Sequence, residues 1–145
     1  MGKMSSVGTI IFCFMFFLMF SNLSVDKALA GSSEINCLAH DGKCTLSLGK
    51  ETVTLEIIPR PVTAMRDSTF IVTLSGKQPE HPPYIDLGMP AMKMGPNKVK
   101  LKHVNKGTYK GQGIIVRCQS GHRKWFANVI VPGVDEVKFI FDVVY

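Results

Sequence analysis

Period-two alternation of apolar and polar residues recurs through residues 45–144, with no helical period of useful length after residue 31. On an extended strand successive side chains point to opposite faces, so this alternation specifies one buried and one wet face. Residues 45–48 and 51–58 flank Gly49-Lys50, with Val53, Leu55 and Ile57 on one face and Thr52, Thr54 and Glu56 on the other, which predicts a hairpin. Pro59 and Pro61 end that pairing, because proline has no N–H for a ladder. Residues 68–74 predict a strand with Phe70, Val72 and Leu74 inward, 77–83 (KQPEHPP) a surface loop, and 84–87 a short extended piece. Along 98–102, Val99 and Leu101 alternate with Lys98, Lys100 and Lys102 on one strand. Residues 109–117 carry Gly111 and Gly113 on the same face, a sign that another strand or an aromatic lid comes close. Strands at 125–131 and 137–144, joined by Pro132-Gly133, place Trp125, Ala127, Val129 and Val131, then Val137, Phe139, Phe141 and Val143, inward. Seven to eight short strands with regular turn signals predict an all-β fold, an immunoglobulin-like antiparallel β-sandwich, with a small barrel as the alternative.

The first thirty residues follow a different logic. Lys3 precedes an apolar run over 7–20, and Ala28-Leu29-Ala30 supplies small residues at positions −3 and −1 of a cut, the layout of a secretory signal. The expected organisation is a signal peptide over 1–30 and one domain over 31–145, in the periplasm or outside the cell. The run is shorter than the roughly 20 residues that cross a bilayer core, so an uncleaved membrane anchor is the weaker alternative. Cys13 and Cys37 follow Phe12 and Asn36 rather than small residues, which disfavours lipid attachment. Without residues 1–30 the chain has 15 Lys and Arg against 10 Asp and Glu, about +5. This charge favours solubility and weak attraction to anionic surfaces. The lysines of 98–102 read as a solvated strand face, so no nucleic-acid partner is expected.

Three cysteines remain after export. Asp41-Gly42 can turn the chain so that Cys37 and Cys44 form a disulfide, leaving Cys118 as the odd thiol.

Met89, Met92 and Met94 fall within the segment 88–97 (GMPAMKMGPN), which Gly88 and Gly95-Pro96 mark as a loop with extended ends. Thioether sulfur is a soft, neutral ligand that suits Cu(I) and needs no deprotonation. Pro90 can turn Met89 toward Met92 and Met94, with His103 or His122 as added imidazole donors. Against this stands the plainer reading in which flexible methionines only plug one end of the fold; Met65 is expected in the core or at its rim. Cys118 and His122, in CQSGH, could bind Cu(I) or form a nucleophilic pair, but Ser120-Gly121 marks a turn, and a loop thiol beside a surface histidine is the simpler picture. His40 and His81 read as solvated and Asp86 as a strand-end carboxylate. No phosphate-cradling loop, paired-carboxylate arrangement or tight zinc spacing stands in the sequence, so neither an enzyme nor a small-molecule substrate is expected.

The string MPAMKMGPNKVKLKHVNKGTYKGQGIIV, followed by KWFANVIVPG and KFIFDV, resembles the YtkA-like domains of bacterial envelope proteins, a group related to FixH-like and copper-handling modules. The likeness covers residues 53–144, and its most specific part is Met89 to Met94 with Gly107 and Tyr109. It implies an immunoglobulin-like fold and an envelope location, and it places the methionine motif on Met89, Met92 and Met94 with Pro90 intact. Two functions follow as expectations: a Cu(I) carrier, buffer or sensor, or a non-catalytic module docking on an envelope or membrane protein partner. Thiol redox work by Cys118 is a third.

Overall fold

The computed structural model describes residues 34–90 and 92–145; the expected signal peptide and Cys13 lie outside the described residues. Among the described residues the chain forms strands and no helix: β1 (Cys44–Leu48), β2 (Glu51–Ile58), β3 (Asp67–Leu74), β4 (Tyr84–Gly88), β5 (Lys98–Lys100), β6 (Lys102–Asn105), β7 (Thr108–Ile114), β8 (Lys124–Val131) and β9 (Asp135–Asp142). They build two antiparallel sheets, a five-stranded one ordered β1-β2-β3-β7-β6 and a four-stranded one ordered β5-β4-β8-β9. Among the described residues no helix is long and apolar enough to cross a membrane.

The alternation read from the sequence becomes burial. Val53, Leu55 and Ile57 of β2, Phe70, Val72 and Leu74 of β3, and Trp125, Ala127, Val129 and Val131 of β8 are all buried, and both sheets contribute to a single apolar cluster. Trp125, Phe70, Phe139 and Phe141 are its largest fully enclosed side chains. Gly49 turns the β1–β2 hairpin with φ 62°, as the Gly49-Lys50 pair predicts. The glycine face of β7 is where the sheets draw together: a Cβ on Gly113 would lie 2.6 Å from Cγ2 of Val99, and one on Gly111 would strike the carbonyl of Lys100. Cys37 and Cys44 form the expected disulfide, with a Cα–Cα distance of 5.4 Å.

Four expectations need correction. The single strand over 98–102 is two: β5 pairs with β4 and β6 with β7, so the chain changes sheets at buried Leu101. Met65 is neither core nor rim; it is 68% exposed at φ 59°, its amide donating to the carbonyl of Ile115. His40 is held rather than solvated, its Nδ1 accepting the amide of Val62 at 3.0 Å. The strands expected to run to 117 and 144 stop at Ile114 and Asp142. Ile140, on the outward face of β9, is also buried, because the segment at Asn36-Cys37 hydrogen-bonds across it.

Candidate functional site

One end of the two sheets gathers Met89, Met92, Met94 and Cys118. β4 finishes at Gly88, opposite Phe126 of β8, and β7 finishes at Ile114. The connection from β4 to β5 is tied down from both sheets: the amide of Leu87 donates to the carbonyl of Asn97 at 2.9 Å, and Nδ2 of Asn97 donates to the carbonyl of Ile114 at 3.3 Å. Within it Met89 and Met92 form an isolated antiparallel bridge, the Met92 amide donating to the Met89 carbonyl at 3.3 Å. That tight reversal, starting at Pro90, divides the methionines by environment. Met89 is buried at 3% exposure in the core cluster, Met94 packs half-buried against it, and Met92 stands 42% exposed.

All three line one groove of about 370 Å³, together with Asp86, Phe126 and Lys98. The Phe126 ring occupies the space a side chain at Gly88 would need, which keeps that wall flat. Lys138 sits over the ring, Nζ 4.9 Å from its centroid.

The connection from β7 to β8 brings the thiol. Cys118 is 7% exposed, and its Sγ donates to Sδ of Met92 at 3.6 Å and lies 2.8 Å from Oγ of Ser120. A turn holds it there: the Gly121 amide donates to the Cys118 carbonyl at 3.1 Å, with Gly121 at φ 76°, a left-handed conformation that glycine adopts freely. The Ser120 hydroxyl lowers the thiol pKa from its ordinary value by stabilising the thiolate. Burial opposes the shift, and the backbone N–H groups of Ser120, His122 and Gly121 reinforce it. The hydrogen bonds outweigh the burial. The result is an anion-favouring thiol in contact with a thioether, two soft donors of which one can carry charge.

Tyr145 fixes the ends of this turn. Its hydroxyl accepts the Cys118 amide at 3.3 Å and the Trp125 indole Nε1–H at 3.4 Å, and donates to the carbonyl of His122. Arg117 lies against the other part of the ring, 5.6 Å from Cζ to centroid.

The expected site residues divide accordingly. Met89, Met92 and Met94 share the groove, and Cys118 joins through Met92. His122 reaches the thiol through its backbone amide, with its side chain exposed. His103 is set apart: it pairs with Tyr109 near the start of β7 and packs edge-on against that ring at 5.3 Å. The sulfurs lie beyond the other end of that strand, about 16 Å along it at a strand's rise per residue. Among the described residues no group of three His, Cys, Asp or Glu gathers to hold a metal. Sequence reasoning missed Ser120, Phe126 and Tyr145; only the Ser120-Gly121 turn pair gave a local hint. A scan against protein-family models and searches of curated proteins and of solved structures returned no match.

Proposed function

We propose that this chain is an exported Cu(I)-binding module, a carrier, buffer or sensor of the bacterial envelope, with an immunoglobulin-like sandwich of YtkA-like type. The observation that carries the reading is the 3.6 Å contact between Sγ of Cys118 and Sδ of Met92 at a groove that Met89 and Met94 also line. The donor set fits the ion: thioethers and a thiolate prefer a soft monovalent metal, whereas zinc sites are built from several thiolates, imidazoles or carboxylates. Cys118 and Met92 would hold the ion, with Met89 and Met94 as the neighbouring sulfurs; His103 drops out of the proposed set, and His122 contributes no imidazole to it. The Cys37–Cys44 disulfide suits an oxidising compartment, in keeping with export and removal of residues 1–30. No catalytic role belongs to this reading. Titration of the protein with Cu(I) against a competing chelator, with Cys118 kept reduced, should give binding tighter than about 1 μM. Weaker binding, or binding unaffected in a Met89→Leu/Met92→Leu/Met94→Leu variant, contradicts the reading.

A second reading, docking on an envelope or membrane protein, draws on one observation. Lys102 and Lys110 face each other across β6 and β7, both exposed, an arrangement unfavourable without a nearby anion. Cross-linking in cells followed by purification should then recover an acidic partner in stoichiometric amount; recovery unchanged in a Lys102→Glu/Lys110→Glu variant counts against it.

A further inference from the structure

We infer that Tyr145 is a positioning residue for the sulfur site, its hydroxyl holding both ends of the turn from Cys118 to His122 so that the thiol stays against Met92. The inference rests on the Cu(I) reading for its functional meaning, but its geometry stands by itself. A single oxygen meets three groups of the segment 118–125: the Cys118 amide at 3.3 Å, the Trp125 indole N–H at 3.4 Å, and the carbonyl of His122. A phenolic hydroxyl has one proton to donate and lone pairs to accept two, so the three contacts use it fully. Two of them close the turn from opposite ends, and the third ties it to Trp125, which is fully buried in the core.

Such a tie matters at this place. The turn's other ties are local, from the Gly121 amide to the Cys118 carbonyl and from Ser120 to the thiol, and its residues 119–123 are exposed. Cys118 is buried in the core cluster, but Met92 comes from a different connection and is 42% exposed, so burial does not fix Met92 against the thiol. Anchoring the turn to the core restricts where the thiol can go before any ion arrives, and preorganised donors bind more tightly because less ordering is left to the binding step. Trp125 is also the only tryptophan in the chain, so its emission reports on the same hydroxyl.

The test is Tyr145→Phe, which keeps the ring and removes only the hydroxyl. In the metal-free protein, Trp125 emission should change, and a neutral disulfide probe at fixed pH should modify Cys118 several-fold faster as the turn loosens. Cu(I) affinity should fall by about tenfold, while the thermal midpoint measured alongside shows that the fold persists. If wild-type protein binds Cu(I) and Tyr145→Phe matches it in affinity and in Cys118 reactivity, the positioning role is overturned and the Cu(I) reading stands. If wild-type protein binds no Cu(I) but the variant still shows the faster thiol reaction, the Cu(I) reading fails and the anchoring of the turn survives. Should Tyr145→Phe unfold, Tyr145→Trp and Arg117→Ala separate loss of the hydroxyl from loss of ring packing: the inference requires altered Cys118 reactivity in the first and wild-type reactivity in the second, and the reverse pattern overturns it.

Discussion

The thiol of Cys118 lies 3.6 Å from the thioether sulfur of Met92, although 26 residues separate them in the chain. Each sits in a connection between strands, one after β4 and one after β7, and the bond from Asn97 to Ile114 brings those connections to the same end of the fold. The pair is therefore a product of strand order rather than of local sequence.

Met92→Leu removes the thioether and keeps the volume. Because Met92 is 42% exposed and the two side chains are similar in size, unfolding free energy should change by less than about 1.5 kcal/mol. Cu(I) affinity, measured by competition, should fall by at least about tenfold, a difference of about 1.4 kcal/mol. Equal affinity would remove Met92 from the proposed ligand set.

The reactivity of Cys118 should follow a depressed pKa. The hydrogen bond from Ser120 stabilises the thiolate, so alkylation of the metal-free protein should reach half-maximal rate below the pH of an ordinary thiol, and Ser120→Ala should move that midpoint upward. The linkage has a definite sign: a folded pKa below the unfolded one adds stability above the unfolded value, and the addition disappears as pH falls through the folded value. Denaturation across this window should show the fold losing a small increment on the acid side, and losing less of it in Ser120→Ala.

Removing the bridge between Cys37 and Cys44 should cost about 2 to 3 kcal/mol, the chain-entropy value for so short a loop. A Cys37→Ala/Cys44→Ala variant unfolded in urea measures it directly. Its Cu(I) affinity should stay close to wild type, since neither cysteine of the bridge lines the groove.

Gly113→Ala should destabilise by about 1 to 2 kcal/mol, because the new methyl would press into fully buried Val99 across the gap between sheets. Gly133→Ala serves as the contrast: nothing stands near its missing Cβ, so any cost there comes from its φ of 76° alone. Thermal unfolding of the two variants separates crowding from backbone strain.

Much of this fold is legible in the sequence because burial on a half-wet strand is a local property. Phe70, Val72 and Leu74, or Trp125, Ala127, Val129 and Val131, show their inward face by alternation alone. The glycine face of β7 is readable for a related reason, since Gly111 and Gly113 leave room that another strand must fill. Alternation is blind to sheet membership, however. Lys98, Lys100 and Lys102 keep their outward rhythm through Leu101 while the chain crosses from one sheet to the other. It is equally blind to a cover supplied from far away, as at Ile140, which Asn36 bonds from 104 residues upstream. The site shows the same divide. Clustering of Met89, Met92 and Met94 is local and visible, whereas the approach of Cys118, and the anchoring of its turn by Tyr145, depend on which loops share an end. His103 follows the methionines closely in sequence, yet the run of β5 and β6 carries it to the start of β7 and away from them.

The most direct test of a copper site built from Cys118 and Met92 is X-ray absorption at the copper edge on the Cu(I)-loaded protein, beside Cys118→Ser and Met92→Leu. A nearest shell made only of sulfur, thinned in each variant, is the expected result. A shell of nitrogen or oxygen, or spectra identical across all three proteins, would contradict it.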